Sequence, residues 1–147
     1  MPNGNGTATH PALVSILRQG THLIASIHTA LDDSQLVRFQ HDLIDRVGRD
    51  RARARARGII IDVAALDVLD SFGTRTLRNI AQMANLRGAR TVIVGINPDV
   101  AFAMVELGTD LGGVLTALDL EEGLDLLNAT SGAGRPRAVR NRTFDRT

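Results

Sequence analysis

The sequence predicts an α/β fold with a mixed, mainly parallel five-stranded sheet, an N-terminal antiparallel hairpin strand and about four helices. Three observations support this prediction. Two β-rich runs, ALVSILRQG and THLIASIH, are separated by the turn signal Gln19-Gly20. Two later apolar runs, GIIIDV and RTVIVGI, lack polar alternation, which is typical of strands covered on both faces. Helical periods lie between the later strands, so crossover connections and parallel pairing are expected.

The first helix is predicted over DDSQLVRFQHDLIDRVG, where the apolar residues fall on one stripe from Leu36 to Val47. Asp32 or Asp33 is suited to cap its start and Gly48 to end it.

Four further elements complete the predicted fold. A second helix is expected from about residue 72 to residue 86, with its apolar positions directed inward. In NPDVAFAMVELG, Pro98 suits a first helical turn and Gly108 suits a stop, which predicts a short third helix. A brief strand over 114–116 and a fourth helix opened by Asp119 close the domain.

Composition limits the function classes. The chain has 147 residues, enough for one domain, and no cysteine, so disulfides and thiolate metal sites are excluded. Its apolar runs are shorter than a membrane span, and its N-terminus lacks the pattern of a secretion signal. We therefore expect a cytoplasmic protein that does not engage the membrane.

The two ends of the chain differ from the middle. Residues 129–147 carry five Arg and one Asp among Gly, Pro and polar residues, so they are expected to form a disordered Arg-rich tail. Residues 1–11 are expected to form a disordered N-terminal arm, which leaves 12–128 as the folded domain.

The stretch VLDSFGTRTL places Asp70 and Ser71 where a buried strand gives way to a helix. Free backbone N–H groups at a helix start favour anions, and ligands of open α/β sheets bind at this edge of the strands. Asp and Ser are also preferred N-caps, so the pair could simply start the helix. Capping, nucleophilic attack and chemical modification are the alternatives for Ser71.

The sequence disfavours catalysis and cofactor binding. A serine hydrolase of this fold class needs G-x-S-x-G and a later histidine, but Leu69 occupies the first glycine position and all four histidines precede Ser71. No metal-ligand spacing or phosphate-binding glycine motif is present. We predict neither a metal site nor a cofactor.

The segment RVGRDRARARARG has six Arg between residues 46 and 57 and could attract phosphates. The chain has no Trp or Tyr to stack on bases, and no known DNA-binding motif is present. We therefore interpret the segment as a solvated connector, and nucleic acid is not an expected partner.

Three stretches, LDSFGTR, RGARTVIVGINPDVA and VELGTDLGGVLTALDLEEGLDLL, resemble the STAS domain of bacterial anti-sigma-factor antagonists. The resemblance covers about residues 12–128 and is greatest to the RsbS group of single-domain stressosome scaffolds. It implies the STAS fold and a non-enzymatic switch rather than a catalyst. RsbR-type members add a sensory domain and a second modifiable threonine, where this chain has Ala103.

In the resembled family, the serine matching Ser71 is phosphorylated by a kinase that the protein also sequesters. The resemblance therefore implies an RsbT-like serine kinase, an RsbX-like phosphatase and RsbR-like STAS paralogues as partners, with a homodimer and a higher-order assembly. Two alternatives remain open, a simple antagonist that binds an anti-sigma kinase one to one, and a small α/β ligand-binding or enzyme domain.

The predicted partner-binding surface surrounds Ser71. It comprises Asp70, Phe72, Gly73, Thr74, Arg75, Asn97, Pro98 and Asp99. Asp70 would assist capping or kinase recognition, Gly73 would allow close approach, and Arg75 would pair with an acidic group of the partner. Thr74, Thr76 and Thr109 are expected to be ordinary helix-surface or loop threonines.

Overall fold

The computed structural model describes residues 12–48 and 55–133. The strands are β1 (Val14–Gln19), β2 (His22–Ile27), β3 (Gly58–Asp62), β4 (Arg90–Val94) and β5 (Leu115–Ala117), and the helices are α1 (Asp33–Val47), α2 (Ser71–Leu86), α3 (Pro98–Leu107) and α4 (Leu120–Ala133). The five-stranded sheet has the order β1-β2-β3-β4-β5. β1 is antiparallel to β2 and the other pairs are parallel, which confirms the predicted fold class.

The hairpin and the first helix follow the sequence signals closely. Gly20 has φ +62°, a left-handed conformation that glycine adopts without a steric penalty, so the chain reverses directly between β1 and β2. At the start of α1, the Asp32 carboxylate accepts a hydrogen bond from the Gln35 amide at 2.8 Å, and the Gln35 side chain accepts one from the Asp32 amide at 2.9 Å. This reciprocal pair is a capping box, so Asp32 rather than Asp33 is the N-cap.

The central strand β3 is buried on both faces. Ile59, Ile60 and Ile61 are all 0% exposed. Ile59 and Ile61 belong to the larger core with α1, α2 and α3, whereas Ile60 packs with Leu127 of α4 on the opposite face. The sheet is therefore a middle layer, which explains why GIIID carries no polar alternation.

The structure differs from the sequence-based boundaries at the C-terminal end. α4 continues to Ala133, beyond the predicted end of the folded domain at residue 128. Extending an existing helix adds a hydrogen bond for each residue without a new nucleation cost, which composition alone does not reveal. The predictions for 1–11 and for the rest of the Arg-rich tail lie outside the described residues.

The Arg-rich connector is also partly folded. Ala56 is 0% exposed, and the Arg57 amide donates to the carbonyl of Thr21 at 2.8 Å. The connector's last residues therefore already belong to the sheet, which corrects the expectation of a solvated segment up to β3. Residues 49–54 lie outside the described residues.

Gly123 of α4 offers a test of this packing. A Cβ added there would lie 2.7 Å from Val94 Cγ1 and 3.4 Å from Ile60 Cδ1. Alanine is favoured over glycine in a helix by about 1 kcal/mol, but overpacking a core costs about 1–3 kcal/mol. We expect Gly123→Ala to lower the free energy of unfolding in urea by about 1 kcal/mol net.

Gly113→Ala is the matched control, because its added Cβ would meet nothing within 4 Å. Its free energy of unfolding should change by less than about 0.5 kcal/mol. An increase in stability for Gly123→Ala would contradict the described contact between α4 and the sheet.

Candidate functional site

Two loops meet at the carboxyl edge of the sheet, one after β3 and one after β4. The Val63 amide donates to the Val94 carbonyl at 3.0 Å, which holds the two strand ends together. Gly95 has φ +84°, and a Cβ there would lie 2.9 Å from the Cβ of Ala64. The close approach of the loops therefore requires glycine at residue 95.

Asn97 joins the two loops through both ends of its side-chain amide. Its Oδ1 accepts a hydrogen bond from the Val100 amide at 3.0 Å and caps α3. Its Nδ2 donates to the carbonyl of Leu66 at 2.6 Å, in the loop that leads to α2. One side chain thus starts α3 and fixes the chain upstream of Ser71.

Asp70 is the N-cap of α2. Its carboxylate accepts a hydrogen bond from the Gly73 amide at 2.8 Å, and its carbonyl accepts one from the Thr74 amide at 2.9 Å. Asp70 has φ −80° and ψ −178°, the extended backbone that an N-cap requires. The capping alternative therefore holds for Asp70 and not for Ser71.

Ser71 is the first residue of α2 and is exposed. Within the described residues, its hydroxyl has no hydrogen-bond partner. Arg75, one turn later, is also exposed, and so is Asp70 beside it. The hydroxyl is therefore accessible to another protein, with an acidic and a basic side chain as its neighbours.

Two residues of the predicted partner-binding surface, Gly73 and Thr74, are buried. A Cβ on Gly73 would lie 2.9 Å from Leu69 Cδ1 and 3.3 Å from Asp70 Oδ1. The lack of a side chain at Gly73 therefore leaves room for the side chains of the preceding loop. Thr74 is 2% exposed, and its hydroxyl has no partner among the described residues. The proposed role of Gly73 in admitting a partner is replaced by this packing role.

The prediction of surface threonines was also wrong for α2. Thr76 is 5% exposed, and its hydroxyl donates to the Phe72 carbonyl at 2.8 Å, which satisfies the group inside the helix packing. Thr109 fits a loop role, with its hydroxyl donating to the Met104 carbonyl at 3.3 Å. Thr74 and Thr76 are buried because they lie on the part of the α2 surface that packs against the rest of the domain.

The remaining predicted residues are on or near the surface. Phe72 and Asn97 are half-buried, whereas Pro98 and Asp99 are exposed in the first turn of α3. The hydrogen bond from Asn97 to Leu66 connects this turn to the loop that precedes Ser71.

Sequence reasoning missed a group of exposed apolar side chains near this edge. α3 buries only Val100 and Met104, while Phe102 is 67% exposed and Val105 is 80% exposed. In the loop before α2, Val68 is 70% exposed. The signal was present in AFAMVEL, which has too many apolar residues for a helix that buries one narrow face. Phe102 and Val105 lie three residues apart on one face of α3, and contiguous exposed apolar patches mark protein-interaction surfaces.

The cavity beside α2's first turn is small and apolar. It has a volume of about 90 Å³, and its single charged lining residue is Asp70, which is occupied in capping. Small-molecule sites usually measure about 300–1,000 Å³ and have several convergent polar groups. The cavity beside Ser71 is therefore smaller than a typical small-molecule site.

The resolved pKa shifts lie outside the predicted site. Hydrogen bonds from the Gln35 amide and then from Ser34 lower the pKa of Asp32 at the start of α1, and burial lowers the pKa of His22 at the start of β2.

Across residues 12–48 and 55–133, no cluster of His, Asp or Glu could hold a metal ion, and no helix is long and apolar enough to cross a bilayer.

The STAS domain family model matches residues 14–121. The chain belongs to the STAS domain family. This STAS domain is similar to a serine-to-glutamate variant of RsbS from Moorella thermoacetica, with 35% identity and a TM-score of 0.69, covering 82% of this chain and 99% of that chain. It is also similar to a chain of the stressosome, described as a signal integration and transduction hub, with 33% identity, a TM-score of 0.60, and coverage of 80% and 98%.

A curated relative is the RsbT co-antagonist protein RsbRA of Bacillus subtilis (strain 168), 27% identical over 94 residues, which are 64% of this chain and 33% of that protein. The chain thus spans about a third of RsbRA's length. These findings confirm the predicted resemblance to anti-sigma-factor antagonists of the stressosome type.

Asn97 allows its two hydrogen bonds to be separated. Asn97→Ser keeps a side-chain oxygen that can cap α3 but is too short to reach Leu66, whereas Asn97→Ala loses both bonds. We expect free energies of unfolding about 1 kcal/mol and about 2 kcal/mol below wild type, respectively, measured in urea. Equal stability of Asn97→Ser and wild type would show that the bond to Leu66 does not hold the loops together.

Proposed function

We propose that the chain is a non-enzymatic, phosphorylation-controlled interaction module of the RsbS type. In this proposal it sequesters an RsbT-like serine kinase in the cytoplasm and releases it when Ser71 is phosphorylated. The exposed Ser71 hydroxyl, without a hydrogen-bond partner in the described residues, at the first position of α2, is the observation that carries the proposal.

The electrostatics of the helix start support a switch. Phosphorylation adds a charge of about −1.5 to −2 at a site flanked by Asp70, with Asp67 also exposed in the preceding loop. The helix dipole and Arg75 offset part of this charge within the chain. A kinase docked on the unmodified surface meets new bulk and negative charge, so its affinity falls.

The apolar side chains nearby support docking of a protein. Phe102 and Val105 of α3 and Val68 of the β3–α2 loop offer apolar area that a partner would bury. The hydrogen bond from Asn97 to Leu66 keeps the two loops in register. A phosphate beside this surface therefore changes docking without refolding the domain.

The relatives support the choice of partners. RsbRA is named as a co-antagonist of RsbT, and one similar structure is of the stressosome. We accordingly assign an RsbT-like kinase, RsbR-like STAS paralogues and an RsbX-like phosphatase as partners. Regulation of a stress or sigma-factor pathway follows from the release of the kinase.

The test uses the full chain, an RsbT-like kinase and Mg-ATP, with the phosphate located by mass spectrometry. We expect phosphate on wild type and none on Ser71→Ala. Ser34→Ala is the matched control, because Ser34 also lies in the first turn of a helix but its hydroxyl donates to Asp32 at 2.9 Å, and it should be modified like wild type. Phosphate persisting on Ser71→Ala would refute the site.

Calorimetric titration with the kinase tests the switch itself. Ser71→Glu should weaken binding on the order of tenfold or more, whereas the neutral Ser71→Asn should bind within about twofold of wild type. Equal binding of the Glu variant would refute charge control. The mass of the complex formed with RsbR-like proteins distinguishes the two alternatives. A large co-complex with these proteins supports a scaffold, whereas a complex of one chain with one kinase supports a simple antagonist.

A further inference from the structure

Another cavity lies along the later turns of α2, away from Ser71. It has a volume of about 420 Å³ and is bounded by α2, the start of β4 and the loop between α3 and β5. Arg78, Gln82 and Asn85 line it from one face of α2, because residues three and four apart are neighbours on a helix surface. The volume falls within the range of about 300–1,000 Å³ that is usual for small-molecule sites.

The cavity is positively charged. Its charged lining residues are Arg78 and Arg90, and no described residue of the lining is acidic. Asp110 precedes the lining residue Leu111, and Arg78 Nη1 donates to the Asp110 carbonyl at 3.2 Å and to its Oδ1 at 3.4 Å. Among the described residues these contacts use Nη1 alone, so the other guanidinium nitrogens of Arg78 can bind an anion. Two arginines against one aspartate leave a net positive charge.

A buried hydroxyl in the cavity wall lacks a partner. Thr91 lines the cavity and is 6% exposed, and its Oγ1 has no hydrogen-bond partner within residues 12–48 and 55–133. Thr91 shares a sheet face with Ile93, which packs in the same core as the buried residues of α2, so the Thr91 side chain points toward this helix. A buried polar group without a partner destabilises a fold, and a hydrogen-bonding ligand removes that cost. The threonine therefore indicates a polar occupant.

We propose that this cavity binds a small phosphate monoester that carries hydroxyl groups, of the size of a sugar phosphate. Guanidinium groups bind phosphate oxygens through paired N–H donors, and the two lining arginines match the charge of a dianion. Gln82, Asn85 and Thr91 provide neutral donors and acceptors for the ligand's hydroxyl groups. No described residue of the lining is aromatic, so a nucleotide base would have no ring on which to stack.

The proposed site is separate from the switch at Ser71. Arg78 lies two turns after Ser71, which is about 10 Å along the helix axis. The site is tested with the chain and a small molecule, in the absence of a kinase. Failure of the ligand test would not affect the phosphorylation test, and the reverse also holds.

Nuclear magnetic resonance titration of the full chain with glucose 6-phosphate tests the site. The amide signals of Asn85, Gly112 and Gly113, which line the cavity, should shift and saturate with a dissociation constant of about 1 mM or below. Glucose lacks the anion, inorganic phosphate lacks the hydroxyl groups and succinate is a dianion without phosphate, so each should bind at least about fivefold more weakly. Absence of saturable shifts at these residues, or equal binding of any of the three comparison ligands, would overturn the proposal.

Two variants test whether the ligand occupies this cavity. Arg78→Gln should raise the dissociation constant about fivefold or more, whereas Arg38→Gln, which removes the same charge from the exposed surface of α1, should stay within about twofold of wild type. Thr91→Val removes a hydroxyl that has no partner among the described residues, so it should be at least as stable as wild type in urea but bind about threefold more weakly. Wild-type affinity of Arg78→Gln or Thr91→Val, with circular dichroism showing a folded protein, would overturn the proposal.

Discussion

The hydrogen bond from the Gly73 amide to the Asp70 carboxylate, 2.8 Å long, organises the start of α2. A helix begins with amides that lack intrahelical partners, and one side chain is normally needed to satisfy one of them. Because Asp70 does this, Ser71 can occupy the first helical position without a structural task. Its hydroxyl then faces solvent where the helix dipole favours negative charge. The candidate switch depends on this division of roles between adjacent residues.

Other contacts at the carboxyl edge of the sheet fix the position of the start of α2. Asn97 ties the β3–α2 loop to the start of α3, and Gly95 lets the two loops approach. Phe102 and Val105 are exposed on α3, the helix that Asn97 caps.

Elements set by local chemistry could be predicted from the sequence. The unalternating run GIIID, the Gly20 turn and the Pro98 start of α3 each follow from a backbone preference or a burial pattern. The role of Gly73 could not be predicted, because it depends on where Leu69 packs after folding. Burial of Thr74 likewise depends on the rotation of α2 against the sheet. The sequence therefore predicted that Asp70 and Ser71 lie at a helix start, but not which neighbouring residues are buried beneath them.

Urea unfolding of unmodified Asp70→Ala and Ser71→Ala shows whether Asp70 alone stabilises the start of α2. Asp70→Ala should lower the free energy of unfolding by about 1 kcal/mol, since the Gly73 amide loses its partner. Ser71→Ala should change it by no more than about 0.3 kcal/mol, within the range for surface substitutions. A loss at Ser71 equal to or larger than that at Asp70 would mean that the serine hydroxyl stabilises the fold and is not reserved for modification.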